Sequence, residues 1–118
     1  MLVVEDEVLI RLMVADELRE QGFNVVEASD AEEAVFQSAV PVHLLLTDLQ
    51  LPGSFDGMAL ASLVHASFPA IKIVVASGRL PETSLRGIAH AAFSNPYEVT
   101  AIVSQVKQLL TDSQDHDI

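Results

Sequence analysis

The fold of this chain is decided by the stretch VHLLLTDLQLPG at residues 42–53. Its first half is an apolar run, which is typical of a strand buried on both faces of a parallel sheet. Asp48 follows that run directly, and Pro52 with Gly53 marks a loop just behind it. We therefore expect Asp48 at the C-terminal edge of a buried strand, where open α/β sheets bind their ligands.

A second apolar run, at residues 2–4, also ends in carboxylates, which are Glu5, Asp6 and Glu7. If the two strands lie side by side, their acidic ends form one cluster. Neighbouring carboxylates raise each other's pKa, and a bound divalent cation such as Mg²⁺ is the simplest way to offset their repulsion. Negative charge at a helix start also offsets the helix dipole, an alternative that suits Glu7 best. For Asp48 the alternative to a role in binding is that its side chain caps a turn.

Composition limits the function classes. The 118 residues correspond to one domain, and no apolar stretch approaches the ~18 residues that span a bilayer. There is no cysteine, which excludes disulfides and thiolate metal sites and fits a reducing cytoplasm. The formal net charge of −11, with six lysines and arginines, argues against nucleic acid or an anionic membrane as a partner. The four histidines show no zinc-ligand spacing.

Short apolar runs alternate with amphipathic stretches, which predicts an α/β fold of five βα units with helices on both faces of one parallel sheet. The predicted strands are residues 2–4, 24–27, 42–47, 71–76 and 91–94. The predicted helices are residues 7–21, 29–39, 58–67, 81–90 and 98–110, with Gly22 as the first C-terminal cap and Ser29 with Glu32 as a capping box. Strand five has few β-forming residues. The domain is expected at residues 1–110, and residues 111–118 form a polar tail that we expect to fray.

Five motifs stand in order along nearly the whole chain: VEDE at residues 4–7, LTDLQLPG at 46–53, DG at 56–57, ASG at 76–78 and NPY at 95–97. Together they resemble the receiver domain of two-component response regulators. The resemblance implies a flavodoxin-like (βα)5 three-layer sandwich with strand order 2-1-3-4-5. That order places strands one and three next to each other, as an acidic cluster requires.

The resemblance also implies a role for each matching residue. Asp48 is similar to the aspartate that accepts a phosphoryl group from a kinase histidine. Glu5 and Asp6 resemble the pair that binds Mg²⁺ or Mn²⁺, with Asp6 as a direct ligand and Glu5 acting through water. Gln50 would contribute its backbone carbonyl to the same metal. Ser77 resembles the switch hydroxyl that binds a phosphoryl oxygen, although a serine that ends a strand is otherwise a satisfied turn residue.

The sequence departs from the family at the end of strand five. Asn95 stands where the family has a lysine, so the fixed cation is missing. Arg79 is a possible surrogate cation, because it lies two residues after the switch serine. The aromatic switch residue is either Phe93 or Tyr97, and the peptide bond before Pro96 is expected to be cis. We expect that Asp48 can still be phosphorylated without the lysine. The structural coupling between the phosphoryl group and the protein surface should be weaker.

The leading hypothesis is a free-standing, phospho-accepting signalling module in the cytoplasm. Its partners would be a sensor histidine kinase or phosphotransfer protein, docking near helix one, and a downstream protein bound by the face of helix four, strand five and helix five. One alternative is a pseudo-receiver, a binding module that works without phosphate, which the missing lysine favours. A phosphatase with an aspartyl nucleophile is a weaker alternative, because Gln50 occupies the usual place of its second aspartate.

Overall fold

A computed structural model of the chain describes residues 1–37, 42–53, 55–78, 87–94 and 98–115. Its strands are β1 (Leu2–Val4), β2 (Val26–Ala28), β3 (Leu44–Thr47), β4 (Lys72–Ser77) and β5 (Ala91–Ser94). Its helices are α1 (Val8–Glu20), α2 (Ala31–Gln37), α3 (Gly57–Ser67) and α4 (Val99–Asp115). None of the helices in these ranges is long and apolar enough to cross a membrane.

The five strands form one parallel sheet in the order β2-β1-β3-β4-β5, which confirms the flavodoxin-like topology. Val4 at the end of β1 is paired with Ala28 on one side and with Thr47 on the other. The last ladder bond on the β3 side runs from the Asp48 N–H to the Val4 carbonyl at 3.0 Å. The residues that follow β1 and β3 therefore leave the sheet at the same edge.

The side chains of β3 alternate between two hydrophobic cores, as the period of a strand requires. Leu44 and Leu46 pack on the face covered by α1 and α4. Leu45 packs on the opposite face, with α2 and α3. Burying each such leucine stabilises the fold by about 1.5–3 kcal/mol. Both faces of the sheet are covered, which confirms the three-layer sandwich.

The predicted cap of the first helix is confirmed. Gly22 has φ of +94°, a left-handed conformation that glycine adopts without steric cost. The Gly22 N–H donates to the Arg19 carbonyl at 3.0 Å, and the Phe23 N–H donates to the Leu18 carbonyl at 3.2 Å. This pair of bonds is a Schellman motif, which satisfies the last carbonyls of α1.

The predicted capping box of the second helix is wrong by one residue. The Asp30 carboxylate accepts the Glu33 N–H at 2.8 Å, so Asp30 caps α2. Ser29 instead donates its hydroxyl to the Glu33 carboxylate at 2.7 Å. Both Ser29 and Asp30 can act as N-caps. The helix begins at Ala31, so Asp30 rather than Ser29 occupies the N-cap position.

The weak strand β5 forms where the sequence predicted it and is anchored by His90. The His90 N–H donates to the Ile73 carbonyl at 2.7 Å, and the His90 Nδ1 accepts the Ile73 N–H at 3.0 Å. Burial and the positive charge of nearby Lys72 and His65 lower the pKa of His90, which favours the neutral ring that can accept this bond. The side chain of His90 thus compensates for the poor strand propensity of β5.

Two further boundaries differ from expectation at the C-terminal half. Residues 87–90 form a turn and bend rather than the end of a fourth helix, and the rest of that predicted helix lies outside the described residues. The last helix continues to Asp115, beyond the expected end at Leu110. The proposed division at residue 110 stays a prediction.

Gly57 brings the start of α3 against the backbone that carries Asp48. The Asp56 side chain caps α3 by accepting the Ala59 N–H at 3.0 Å. The Gly57 N–H donates to the Leu49 carbonyl at 3.1 Å. A Cβ atom on Gly57 would overlap the Asp48 carbonyl oxygen and lie 2.8 Å from the Leu49 Cα. Only glycine fits this contact without a shift of the backbone.

We expect Gly57→Ala to destabilise the protein by about 1–3 kcal/mol, because the added methyl group must displace the Asp48 backbone. Urea denaturation measures this change. The matched control is Gly22→Ala, where φ is positive but no atom lies within 4 Å of the new Cβ. The control should cost about 1–2 kcal/mol of backbone strain alone, because its new methyl group displaces no neighbouring atoms. Unchanged stability in Gly57→Ala would contradict the packing argument.

Candidate functional site

The structure brings together the carboxylates that the sequence placed at two strand ends. Glu5 and Asp6 follow β1, and Asp48 follows β3. Each offers one carboxylate oxygen, and the three oxygens lie within 4.8 Å of one another. Oxygen ligands at this spacing from parallel strand ends suit a small divalent cation such as Mg²⁺.

The three carboxylates differ in burial. Glu5 is only 7% exposed, Asp48 is half-buried and Asp6 is exposed. Burial raises the pKa of Glu5 to about 8, and the hydrogen bond and negative charge of Asp48 add to the shift. The raised pKa favours the protonated form of Glu5 when no cation is bound. A cation that displaces this proton relieves the repulsion, so the donor set fits a divalent metal.

The backbone after β3 holds Asp48 at the sheet edge. The Gln50 N–H donates to the Asp48 Oδ1 at 2.9 Å, and the buried Thr47 hydroxyl donates to the Asp48 carbonyl at 2.8 Å. The Gln50 bond shows that the turn itself uses one carboxylate oxygen of Asp48, whereas the Thr47 bond holds only its backbone. The metal-binding role of the Gln50 carbonyl stays a prediction.

Ser77 ends β4 with a buried hydroxyl. The residue is 1% exposed, and its Oγ has no hydrogen-bond partner in the part of the chain that is described. Leaving a buried hydroxyl unsatisfied costs about 1–3 kcal/mol, so such a group calls for a functional explanation. The alternative of a satisfied turn serine does not hold among these residues. The hydroxyl has the unused donor that a switch residue needs.

Only part of the atypical end of strand five lies within the described residues. Arg79, Asn95 and Tyr97 lie outside the described residues, as does the peptide bond before Pro96. Phe93 is described and packs, half-buried, against the core beneath α1 and α4. The surrogate cation, the lysine replacement and the choice of aromatic switch stay predictions.

Sequence reasoning missed two residues that shape the site. Gly57 appeared only as part of a motif, although its lack of a side chain allows α3 to approach Asp48. Arg11 was not singled out, yet its Nη1 donates to the Glu5 carbonyl at 2.9 Å. The motif signal could have indicated Gly57. No local signal indicates Arg11, because its other partner, Glu27, is 16 residues away.

Comparison with known proteins identifies the family. Residues 1–107 match the response regulator receiver domain. The chain therefore belongs to this family of signalling modules of two-component systems, in which phosphorylation and Mg²⁺ binding are general features. It is 30% identical over 95 residues to an NtrX-like response regulator of Rickettsia felis. That match covers 78% of this chain but only 20% of the relative, so the chain spans about a fifth of the relative's length.

Solved structures agree on the fold. A CheY-like receiver domain protein from Methanospirillum hungatei JF-1 has a TM-score of 0.89 at 22% identity, covering 98% of this chain and 95% of that one. The response regulator TrrA of Thermotoga maritima, solved in complex with Mg²⁺-BeF, has a TM-score of 0.82 at 25% identity. That comparison covers 92% of this chain and 96% of TrrA.

The raised pKa of Glu5 predicts a pH-dependent stability. Folding raises this pKa from 4.5 to about 8, so the carboxyl contributes stability below pH 4.5 that is lost as pH rises through 8. In metal-free buffer, we compare the unfolding free energy of Glu5→Gln with that of the parent. The advantage of the variant should be larger at pH 9 than at pH 5 by about 1–3 kcal/mol.

Urea denaturation with a chelator at the two pH values measures this gain. The matched control is Glu20→Gln, an exposed carboxylate at the opposite end of α1. It should give the same small difference at both pH values. An equal difference for Glu5→Gln at pH 5 and pH 9 would disprove the assigned cause.

Proposed function

We propose that this chain is a cytoplasmic phospho-accepting receiver in which Asp48 takes a phosphoryl group from a histidine kinase or phosphotransfer protein. Glu5, Asp6, Asp48 and the Gln50 carbonyl would hold Mg²⁺, or Mn²⁺, beside the acceptor. The observation that carries the proposal is the carboxylate cluster within 4.8 Å at the edge of the sheet. The Mg²⁺-BeF complex of the similar protein TrrA supports the same kind of site here.

The transfer is a displacement at phosphorus. A carboxylate oxygen of Asp48 forms a bond to the phosphorus, the P–N bond of the phosphohistidine breaks, and the donor imidazole leaves with the electron pair. The product is an acyl phosphate on Asp48. A bound Mg²⁺ would neutralise charge on the transferring group. The Gln50 N–H and the Thr47 hydroxyl restrain Asp48 and so reduce the entropy that the reaction must lose.

Ser77 would act after transfer by donating its hydroxyl to a phosphoryl oxygen. Its lack of a partner among the described residues supports this role, since the new bond would satisfy a buried donor. The family's lysine would add a charge-assisted bond at the same phosphoryl group, and Asn95 cannot supply one. We therefore expect the signal to reach the surface less strongly than in a receiver that has the lysine. Arg79 remains the proposed surrogate.

The exposed face of α1 supports docking of the phosphodonor beside the cluster. Four large apolar side chains on this helix are exposed, and the most exposed of them, Leu9, is 82% accessible. The others are Val8, Leu12 and Met13. A contiguous patch of exposed apolar side chains is typical of a protein-binding site. The downstream partner is proposed at the predicted face of helix four, strand five and helix five, of which strand five is β5 and helix five is α4.

Phosphorylation in vitro tests the proposal directly. With acetyl phosphate and Mg²⁺, we expect the intact mass to rise by one phosphoryl group, because Asp48 needs only a small donor. Asp48→Asn should abolish the rise, and removal of Mg²⁺ should slow it by at least about tenfold. Mass spectrometry and the response to beryllofluoride give independent readouts.

Ser77→Ala is the companion variant. It removes the donor without removing the acceptor, so it should still be phosphorylated but should respond less to beryllofluoride. If the parent gains no phosphoryl group and Asp48→Asn binds its partners as the parent does, the chain is a pseudo-receiver instead. Turnover of a generic phosphate ester would indicate a phosphatase.

A further inference from the structure

A chain of polar contacts links the acidic cluster to the outer part of α1 through residues that the phosphoryl chemistry does not use. Arg11 donates from Nη1 to the Glu5 carbonyl at 2.9 Å and from Nε to the Glu27 carboxylate at 3.2 Å. The second oxygen of Glu27 accepts from Arg19 Nη1 at 3.0 Å. Arg19 also donates from Nη2 to the Val25 carbonyl at 3.0 Å.

The Glu5 carbonyl is the point where strand pairing stops. The Glu5 N–H still donates to the Ala28 carbonyl at 3.0 Å, as a continuation of the β1–β2 ladder. The next peptide, between Glu5 and Asp6, lies beyond the last paired residues of β1. Arg11 holds the oxygen of that peptide. Because a peptide is planar, fixing its oxygen also fixes the direction in which the Asp6 backbone leaves the strand.

We propose that Arg11 is a positioning residue for the metal site, acting through the Glu5–Asp6 peptide. The inference rests on the proposed function, since it assigns a purpose to Arg11 only if the cluster binds a cation. The cluster's mutual repulsion pushes its carboxylates apart when no cation is bound. The guanidinium restrains the backbone against this repulsion, so that less conformational entropy is lost when Mg²⁺ binds.

The effect of Arg11 is geometric rather than electrostatic. Glu27 offsets only part of the charge of Arg11, because it also pairs with Arg19. A positive charge beside the cluster would by itself oppose Mg²⁺ binding, so weaker binding without Arg11 has to come from lost positioning. The planar fork of a guanidinium fixes the direction of both its bonds, which a lysine cannot do. The Arg11 and Glu27 side chains are only 16% and 21% exposed, so solvent screens this pair less than a surface pair.

Arg19 provides a matched control. It lies on the same helix, carries the same group and binds the same Glu27, but its described contacts do not reach the acidic cluster. Its side chain is 42% exposed, and its contact to Asp16 is a surface pair at 3.6 Å. A loss of Mg²⁺ binding that is specific to Arg11 therefore separates positioning from general packing of α1 on β2.

The test is calorimetric titration of the whole chain with magnesium chloride alone, for the parent and for Arg11→Gln, Glu27→Gln and Arg19→Gln. We expect Arg11→Gln to weaken Mg²⁺ binding about tenfold, as removal of a residue that orients a ligand does. Glu27→Gln should weaken it by a smaller factor, because Arg11 remains but loses its anchor. Arg19→Gln should stay within about twofold of the parent.

A kinetic readout adds a second criterion. The Mg²⁺ concentration that half-saturates phosphorylation by acetyl phosphate should rise in Arg11→Gln, while the rate at saturating Mg²⁺ should match the parent. An unchanged Mg²⁺ affinity in folded Arg11→Gln overturns the inference, and so does an equal loss in Arg19→Gln. If Arg11→Gln does not fold, unchanged affinity in Glu27→Gln overturns it instead.

The same titrations distinguish a failure of this inference from a failure of the proposed function. A parent that binds Mg²⁺ but is not phosphorylated contradicts the proposed function, and the Arg11 comparison still decides the inference. A parent that binds no Mg²⁺ contradicts both. A parent that binds Mg²⁺ and is phosphorylated, with Arg11→Gln equal to it in both assays, contradicts the Arg11 inference alone.

Discussion

The parallel pairing of β1 with β3 is the constraint on which the rest of the structure depends. The register that places Val4 opposite Thr47 forces the following residues to leave the sheet side by side. This arrangement brings carboxylate oxygens of Glu5, Asp6 and Asp48 within 4.8 Å of one another. Like charges brought together in this way raise the free energy of the fold. The apolar packing on both sides of the sheet must outweigh that cost.

The surrounding structure limits how far the carboxylates can relax. Strand ladder bonds hold Glu5 and Asp48 at their backbone N–H groups. Gly57 lets α3 press against the Asp48 backbone, and Arg11 holds the Glu5 carbonyl from the other side. Burial of Glu5 within this fixed backbone, together with the hydrogen bond and charge of Asp48, raises the pKa of Glu5 to about 8. A divalent cation bound among these carboxylates would take the place of the Glu5 proton.

The element pattern and the acidic strand ends could be predicted because both are local properties of sequence. The apolar run before Asp48 identified β3, and Gly22 identified the end of α1 through its freedom to adopt positive φ. One error occurred where two neighbouring residues could both cap the helix, as with Ser29 and Asp30 at α2. Other errors concerned the ends of helices, at residues 87–90 and at Asp115. β5 was predicted at the right residues although it has few β-forming side chains, and one of its contacts, from His90 to Ile73, joins residues 17 apart in the chain.

The sequence alone determined the fold class and which carboxylates end the two strands, because apolar periodicity and turn residues act over a few positions. Family resemblance then supplied roles for Asp48 and Ser77. Only the tertiary structure decided that Glu5 is the buried member of the cluster and that the Ser77 hydroxyl has no partner among the described residues. It also decided that Arg11 reaches the Glu5 carbonyl. Burial and long-range hydrogen bonds depend on which elements the fold packs together, and no short stretch of sequence contains that information.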